Sequence, residues 1–191
     1  MLVVDILERV TGRSFRHVVA EHVIKPLGLQ RTSTLETIDD LMECVPGFGT
    51  EVTEDGSLAD VRGRYHPGWC APRVVASTAA EITRVFDALF SGKLLAEKTL
   101  HSMLTLTPLP GLREAPLVID GGMGLYSNAA SSYGRNYGHG GGGPGYDLGA
   151  VVYPEAHGGR VAAAVFVDTS CGPRAADFED RVVGHFVTAS E

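Results

Sequence analysis

The sequence has few cysteines and no long hydrophobic run. Its three cysteines, Cys44, Cys70 and Cys171, are an odd number without C-x-x-C spacing, so they favour neither a disulfide framework nor a zinc site. Near the amino end, Asp5 interrupts a short apolar stretch that no basic leader precedes, which is not the pattern of a signal peptide or a membrane span. We therefore predict no cofactor, no metal and no membrane span. The compartment stays open, with the cytoplasm as the default.

Positive charge is also scarce, and lysine in particular occurs only as Lys25, Lys93 and Lys98. The chain has 16 lysines and arginines against 23 acidic residues, which gives a formal net charge of −7 and a pI near 5.5. Nucleic acids and anionic membranes would be repelled on average by such a charge, so we predict neither as a partner. With 44% hydrophobic residues and a mean hydropathy of +0.06, the composition is that of an ordinary folded domain.

Hydrophobic periodicity predicts a single α+β domain over residues 1–191. Residues 1–110 are mainly helical, with helices predicted over residues 1–12, 14–26, 77–92 and 97–104 and a short helix plus hairpin within residues 35–64. Residues 111–191 form an antiparallel sheet, with strands predicted over residues 123–126, 133–141, 146–153 and 160–168. A last amphipathic helix follows, with Asp177, Glu179 and Asp180 on its solvent side.

The segment Tyr137–Tyr146 places His139 in a glycine run between two predicted strands. Glycine at this density persists where backbone must approach another backbone or a ligand closely, or must adopt positive φ. Two interpretations stay open, a plain hairpin loop with a bystander histidine or a strand that receives a ligand. The spacing also fits Gly-x-Gly-x-x-Gly, but a strand follows it instead of a helix, which argues against a dinucleotide site. No Gly-x-Ser-x-Gly elbow follows, so an α/β-hydrolase is set aside.

Three stretches together resemble one family, the serine β-lactamases and penicillin-binding proteins, in its branch of β-lactamase-like esterases and D-alanyl-D-alanine carboxypeptidases. They are Leu7-Glu8-Arg9-Val10-Thr11-Gly12 with Lys25-Pro26-Leu27-Gly28-Leu29, then Ser77-Thr78-Ala79-Ala80-Glu81-Ile82, and Tyr137-Gly138-His139-Gly140-Gly141. The resemblance implies a helical region packed on an antiparallel sheet with a helix behind it. It also implies hydrolysis of an amide, lactam or ester through an acyl-enzyme.

The third stretch carries the site that the resemblance implies. His139-Gly140-Gly141 matches the family's His-x-Gly motif, in which the histidine attracts the substrate carboxylate or helps to move a proton. By the same resemblance, Gly140 and Gly141 let the strand lie flush against a small acyl substrate, and the N–H of Gly142 forms one arm of the oxyanion hole. His139 is thus the expected catalytic side chain, and Gly140, Gly141 and Gly142 are the expected substrate-binding residues.

Two motifs of the family are missing from the 191 residues. The family's nucleophile lies in Ser-x-x-Lys, and no lysine here has a serine three residues before it. The family's Tyr-x-Asn would precede Met1, and we interpret Tyr126-Ser127-Asn128 as a coincidental strand end. We therefore expect the carboxyl-terminal half of a family member, without the amino-terminal strands and the nucleophile helix. Such a chain cannot form an acyl-enzyme alone.

Two alternatives to an enzyme follow from the missing motifs. The first is an inactive homologue that uses the groove beside His139 only to bind a ligand. The second is half of a split enzyme that assembles with a separately encoded amino-terminal half. Both leave an uncovered sheet edge and apolar surface, so we expect self-association or association with an amino-terminal half.

Overall fold

The computed structural model describes residues 2–69, 74–112, 118–156 and 158–188. The chain forms two compact units, the first comprising residues 1–81, 143–146 and 168–172 and the second comprising residues 82–142, 147–167 and 173–191. Helices and antiparallel sheets occur together, which confirms the predicted α+β class. The interpretation of residues 1–191 as one partial domain stays a prediction.

The first unit begins with helices at the predicted places. Helix α1 spans Leu2–Thr11, and α2 spans Phe15–Val19 with the Ser14 hydroxyl accepting a hydrogen bond from the His17 N–H. A π-helical turn, Ala20–Ile24, then leads into α3, Lys25–Leu27. The sequence predicted that Pro26 and Gly28 end this helix; it continues past Pro26, because the helix widens into the π turn just before the proline, which has no N–H to donate. The helix ends at Gly28, where φ is 60°.

The rest of the first unit contains short elements. Strand β1, Ser33–Leu35, pairs antiparallel with β4, Val74–Ala76, and α4 spans Ile38–Met42. Strands β2, Phe48–Gly49, and β3, Ala59–Asp60, form the hairpin that the sequence predicted together with a short helix. Residues 67–69 form a 3₁₀ turn. Residues 70–73 lie outside the described residues.

A six-stranded antiparallel meander dominates the second unit. Helices α5, Ala79–Phe90, and α6, Glu97–Met103, precede it as predicted, and the Thr78 hydroxyl caps α5 by accepting from the Glu81 N–H at 3.2 Å. The sheet order is β10-β9-β8-β7-β6-β5, and α7, Ala176–Thr188, follows. The strands are β5 Thr107–Pro108, β6 Ile119–Gly121, β7 Tyr126–Asn128, β8 Asn136–Gly143, β9 Tyr146–Ala156 and β10 Gly159–Val167.

The first predicted strand, residues 123–126, is wrong in its position. Residues 122–125 form a turn between β6 and β7, and Gly124 adopts a φ of 73° there. The sequence analysis also missed β5 and β6. Strands of two or three residues contain too few positions to show a period of two, so hydrophobic alternation does not reveal them.

Helix α7 packs on β10 and contributes to the core of the second unit. The core residues are Val151, Tyr153, Ala156, Ala163, Val183 and Val187. Asp177 and Asp180 are exposed, as the sequence predicted, but Glu179 is partly buried. A Cβ added to Gly149 of β9 would lie less than 2 Å from the Glu179 carboxylate, so this acid faces the sheet instead of solvent.

Candidate functional site

Strand β8 carries all the residues that the sequence analysis placed in the site. It lies between β9 and β7, but β7 pairs only with its first three residues, through Tyr126–Gly138, Ser127–Tyr137 and Asn128–Asn136. Within the described part of the chain, no strand continues this pairing beside residues 139–142. This segment is the open edge of β8. An extended ligand can add to such an edge through main-chain hydrogen bonds.

The imidazole of His139 is exposed on the open edge and is held by two contacts. Its Nδ1 donates a hydrogen bond to the carbonyl oxygen of Gly140. The ring of Tyr126 stacks on it, with centroids 5.1 Å apart and planes inclined by 28°. Because a carbonyl oxygen can only accept, the first contact assigns the proton to Nδ1. In the neutral ring Nε2 is then a proton acceptor, and in the charged ring it is a donor.

The glycines of β8 are required for different reasons. A Cβ on the buried Gly138 would lie 2.3 Å from the carbonyl oxygen of Ala150 in β9, so close backbone approach excludes any side chain there. A Cβ on the exposed Gly140 would meet nothing nearer than 3.5 Å, the carbonyl oxygen of Leu148. Packing therefore explains Gly138, whereas Gly140 leaves uncovered backbone at the open edge.

The three residues of the Tyr-x-Asn sequence lie on the neighbouring strand β7 and have different contacts there. Ser127 is fully buried and its hydroxyl accepts a hydrogen bond from an Arg135 nitrogen at 3.0 Å. The Asn128 side-chain oxygen accepts from the N–H groups of Val118 and Ala130, at 3.2 and 2.9 Å, which makes it a structural residue. Tyr126 instead contacts His139. Sequence reasoning missed it because stacking across strands depends on tertiary pairing, which no local pattern reports.

The described residues contain neither a cluster suited to a metal ion nor a helix suited to crossing a membrane. No group of three or more histidine, cysteine, aspartate or glutamate side chains in them is arranged to hold a metal ion. None of the helices in the described ranges combines the length and the apolar character that a membrane crossing requires. The open edge of β8 itself presents one imidazole and backbone N–H and C=O groups.

Comparisons with known proteins agree with this architecture. The profile of the family described as Beta-lactamase matches residues 1–186. The D-stereospecific amidohydrolase from Streptomyces sp. is 25% identical, with a TM-score of 0.68 over 85% of this chain and 46% of that one. A search of curated protein sequences finds no significant match.

Two further solved structures share the fold at lower identity. The D-amino acid amidase from Ochrobactrum anthropi SV3, complexed with L-phenylalanine, is 20% identical with a TM-score of 0.74, covering 100% of this chain and 58% of that one. The octameric penicillin-binding protein homologue from Pyrococcus abyssi is 17% identical with a TM-score of 0.76, covering 98% and 41%. The chain thus spans about half the length of the structures that it matches.

Proposed function

Because the chain belongs to the Beta-lactamase family, we propose that it forms the substrate-binding wall of a serine hydrolase that cleaves an amide, lactam or ester through an acyl-enzyme. The observation that carries this proposal is the open edge of β8, where an exposed, oriented imidazole stands beside backbone that β7 does not pair with. A plain hairpin loop needs neither feature.

The residues of the open edge take separate roles in this proposal. The Nε2 of His139 faces the substrate, donating to a carboxylate when the ring is charged and accepting a proton when it is neutral. Gly140 and Gly141 have no side chain, which lets the strand backbone lie flush with the substrate. The N–H of Gly142 is one donor to the oxyanion that develops on the attacked carbonyl.

The nucleophile and its base come, in this proposal, from a segment outside residues 1–191. Two observations support this: the sequence contains no Ser-x-x-Lys, and the chain spans only about half of the matched structures. The same missing motif supports the second candidate function, a module that binds the acyl ligand without cleaving it. The two candidates share the open edge of β8 and differ in whether a nucleophile is supplied.

An amide of a D-amino acid is the substrate to test first. The Streptomyces structure is a D-stereospecific amidohydrolase, and the Ochrobactrum structure is a D-amino acid amidase. We infer the same substrate class for this chain, with D-phenylalanine amide as the probe and its L enantiomer as the stereochemical comparison.

Titration calorimetry of the 191-residue chain with D-phenylalanine amide tests the proposal. We expect saturable binding that weakens about tenfold in His139→Gln, the factor that corresponds to one lost hydrogen bond between neutral Nε2 and the charged amino group of the probe, which has no carboxylate. His101→Gln, which alters an exposed histidine on α6, is the matched control and should bind like the wild type. Equal affinity of His139→Gln and the wild type would overturn the proposal. Intact-mass spectrometry should show no acyl adduct on the chain alone.

A further inference from the structure

Tyr126 has a function that neither the Tyr-x-Asn pattern nor the proposed reaction assigns to it. The residue is 46% exposed, although a tyrosine at the end of a short strand has no need to lie against a neighbouring side chain. It nevertheless stacks on His139 in an offset arrangement, within the range of centroid distances that aromatic pairs prefer. The imidazole is therefore covered on one face by Tyr126.

The two contacts of His139 act on different degrees of freedom. The stack with Tyr126 fixes the plane of the imidazole, and the hydrogen bond from Nδ1 to the Gly140 carbonyl fixes which edge of the ring turns towards the strand. Either contact alone leaves a rotation open. Together they leave Nε2 as the nitrogen available to a ligand, and they select the tautomer in which a neutral Nε2 accepts a proton.

We propose that Tyr126 is a positioning residue that holds His139 with the proton on Nδ1 and Nε2 turned to the ligand. The proposal rests on the proposed function for the identity of the ligand but not for the orientation of the ring. Tyr126 acts through His139 and need not touch substrate. The aromatic ring is the active feature, so phenylalanine should replace tyrosine and an aliphatic residue should not.

The backbone pairing of Tyr126 fixes the position of its ring relative to His139. Tyr126 pairs in register with Gly138, the glycine that close approach to Ala150 requires, so the position of β7 along β8 is defined next to His139. Slippage of β7 by one residue would remove the ring from the imidazole. The short strand β7 therefore serves to place an aromatic ring against the site histidine.

Long-range ¹H–¹⁵N correlation spectra of the His139 imidazole test this inference in the 191-residue chain, with His139→Gln used for assignment. The wild type and Tyr126→Phe should show the Nδ1–H tautomer in the neutral ring. In Tyr126→Leu the ring is free to turn from Gly140, and the ratio of the two tautomers should fall by about two- to twelvefold, the range that aromatic pair energies correspond to. An unchanged ratio in Tyr126→Leu overturns the inference.

Tyr137→Leu is the matched control, because Tyr137 lies on β8 and its ring contacts Phe90, with centroids 5.4 Å apart. It should leave the His139 tautomer unchanged, and an equal shift in this variant would also overturn the inference. Should Tyr126→Leu not fold, nuclear Overhauser effects between the two rings in the wild type decide, and their absence contradicts the stack. The tautomer is measured without ligand, so a ligand titration tests the proposed function separately from the role of Tyr126. If His139 is oriented but no ligand binds, only the proposed function is refuted.

Discussion

Glu179 shows how a single carboxyl group responds to its place in the fold. Burial against β9 raises the pKa of this carboxyl, and the negative charges of Asp180 and Asp147 raise it further. Arg174 forms an ion pair with Asp147. Arg181 lies on α7, the helix that carries Glu179, and its guanidinium group stacks on the ring of Phe178. The folded state therefore binds a proton at Glu179 more tightly than the unfolded chain does.

We predict that this carboxyl makes the protein less stable as pH rises. A raised folded-state pKa gives a contribution to stability that is present below the ordinary glutamate value and is lost as pH rises through the folded-state pKa. At neutral pH Glu179→Gln should therefore raise the melting temperature, and at acidic pH it should have little effect. Thermal melts across that pH range check this, with the exposed Glu155→Gln of β9 as control. A lower melting temperature for Glu179→Gln at neutral pH would contradict the account.

The sequence placed His139 in a predicted strand, residues 133–141, and β8 contains it, but no sequence pattern indicated Tyr126. The histidine lies in a glycine run, and such a run is a local pattern that the sequence shows directly. Stacking of Tyr126 on His139 arises from the register of β7 and β8, which brings together residues that are 13 positions apart in the chain. The sequence placed Glu179 on the solvent side of α7 for a related reason. The period of a helix does not reveal that Gly149 of β9 lies opposite this carboxylate.

Among the strands, β8 contains one glycine that packing requires, Gly138, and another, Gly140, that packing does not require. We predict that Gly138→Ala lowers the free energy of unfolding by about 1–3 kcal/mol, because the new Cβ would meet the Ala150 backbone and overpack the sheet. Gly140→Ala in the same strand is the matched control, since its Cβ would have ordinary contacts, and its stability should stay within about 0.5 kcal/mol of the wild type. Denaturant unfolding measures both. Equal losses in the two variants would refute this distinction.

Elements with many residues were predictable, and those with few were not. Helix α5 has a capping threonine and an amphipathic stripe over twelve residues, and β9 and β10 are continuous over 11 and 9 residues. Strands β5, β6 and β7 have two or three residues each and exist because neighbouring strands supply their partners. Their positions follow from tertiary pairing, not from local propensity.

For the whole molecule, the exposed face of α1 points to association. Its apolar residues Leu2, Val3, Ile6 and Val10 are 50–81% exposed, although the sequence places them on one helical stripe. We predict that the chain self-associates at micromolar concentration, because contiguous apolar surface of this kind is rarely left in water. Sedimentation velocity checks this, and Val3→Glu should weaken association whereas Val45→Glu, at a 69% exposed loop residue, should not. A wild type that sediments as a monomer at all concentrations would contradict the prediction.

The most direct test of the account is to locate where a substrate-like ligand binds. Backbone amide spectra of the ¹⁵N-labelled 191-residue chain would be recorded during titration with D-phenylalanine amide. The account predicts saturable shifts concentrated at Gly140, Gly141 and Gly142 and at the imidazole of His139, with the amides of α7 unchanged. Saturable binding that leaves these β8 resonances in place would contradict the claim that the open edge of β8 is the substrate-binding wall.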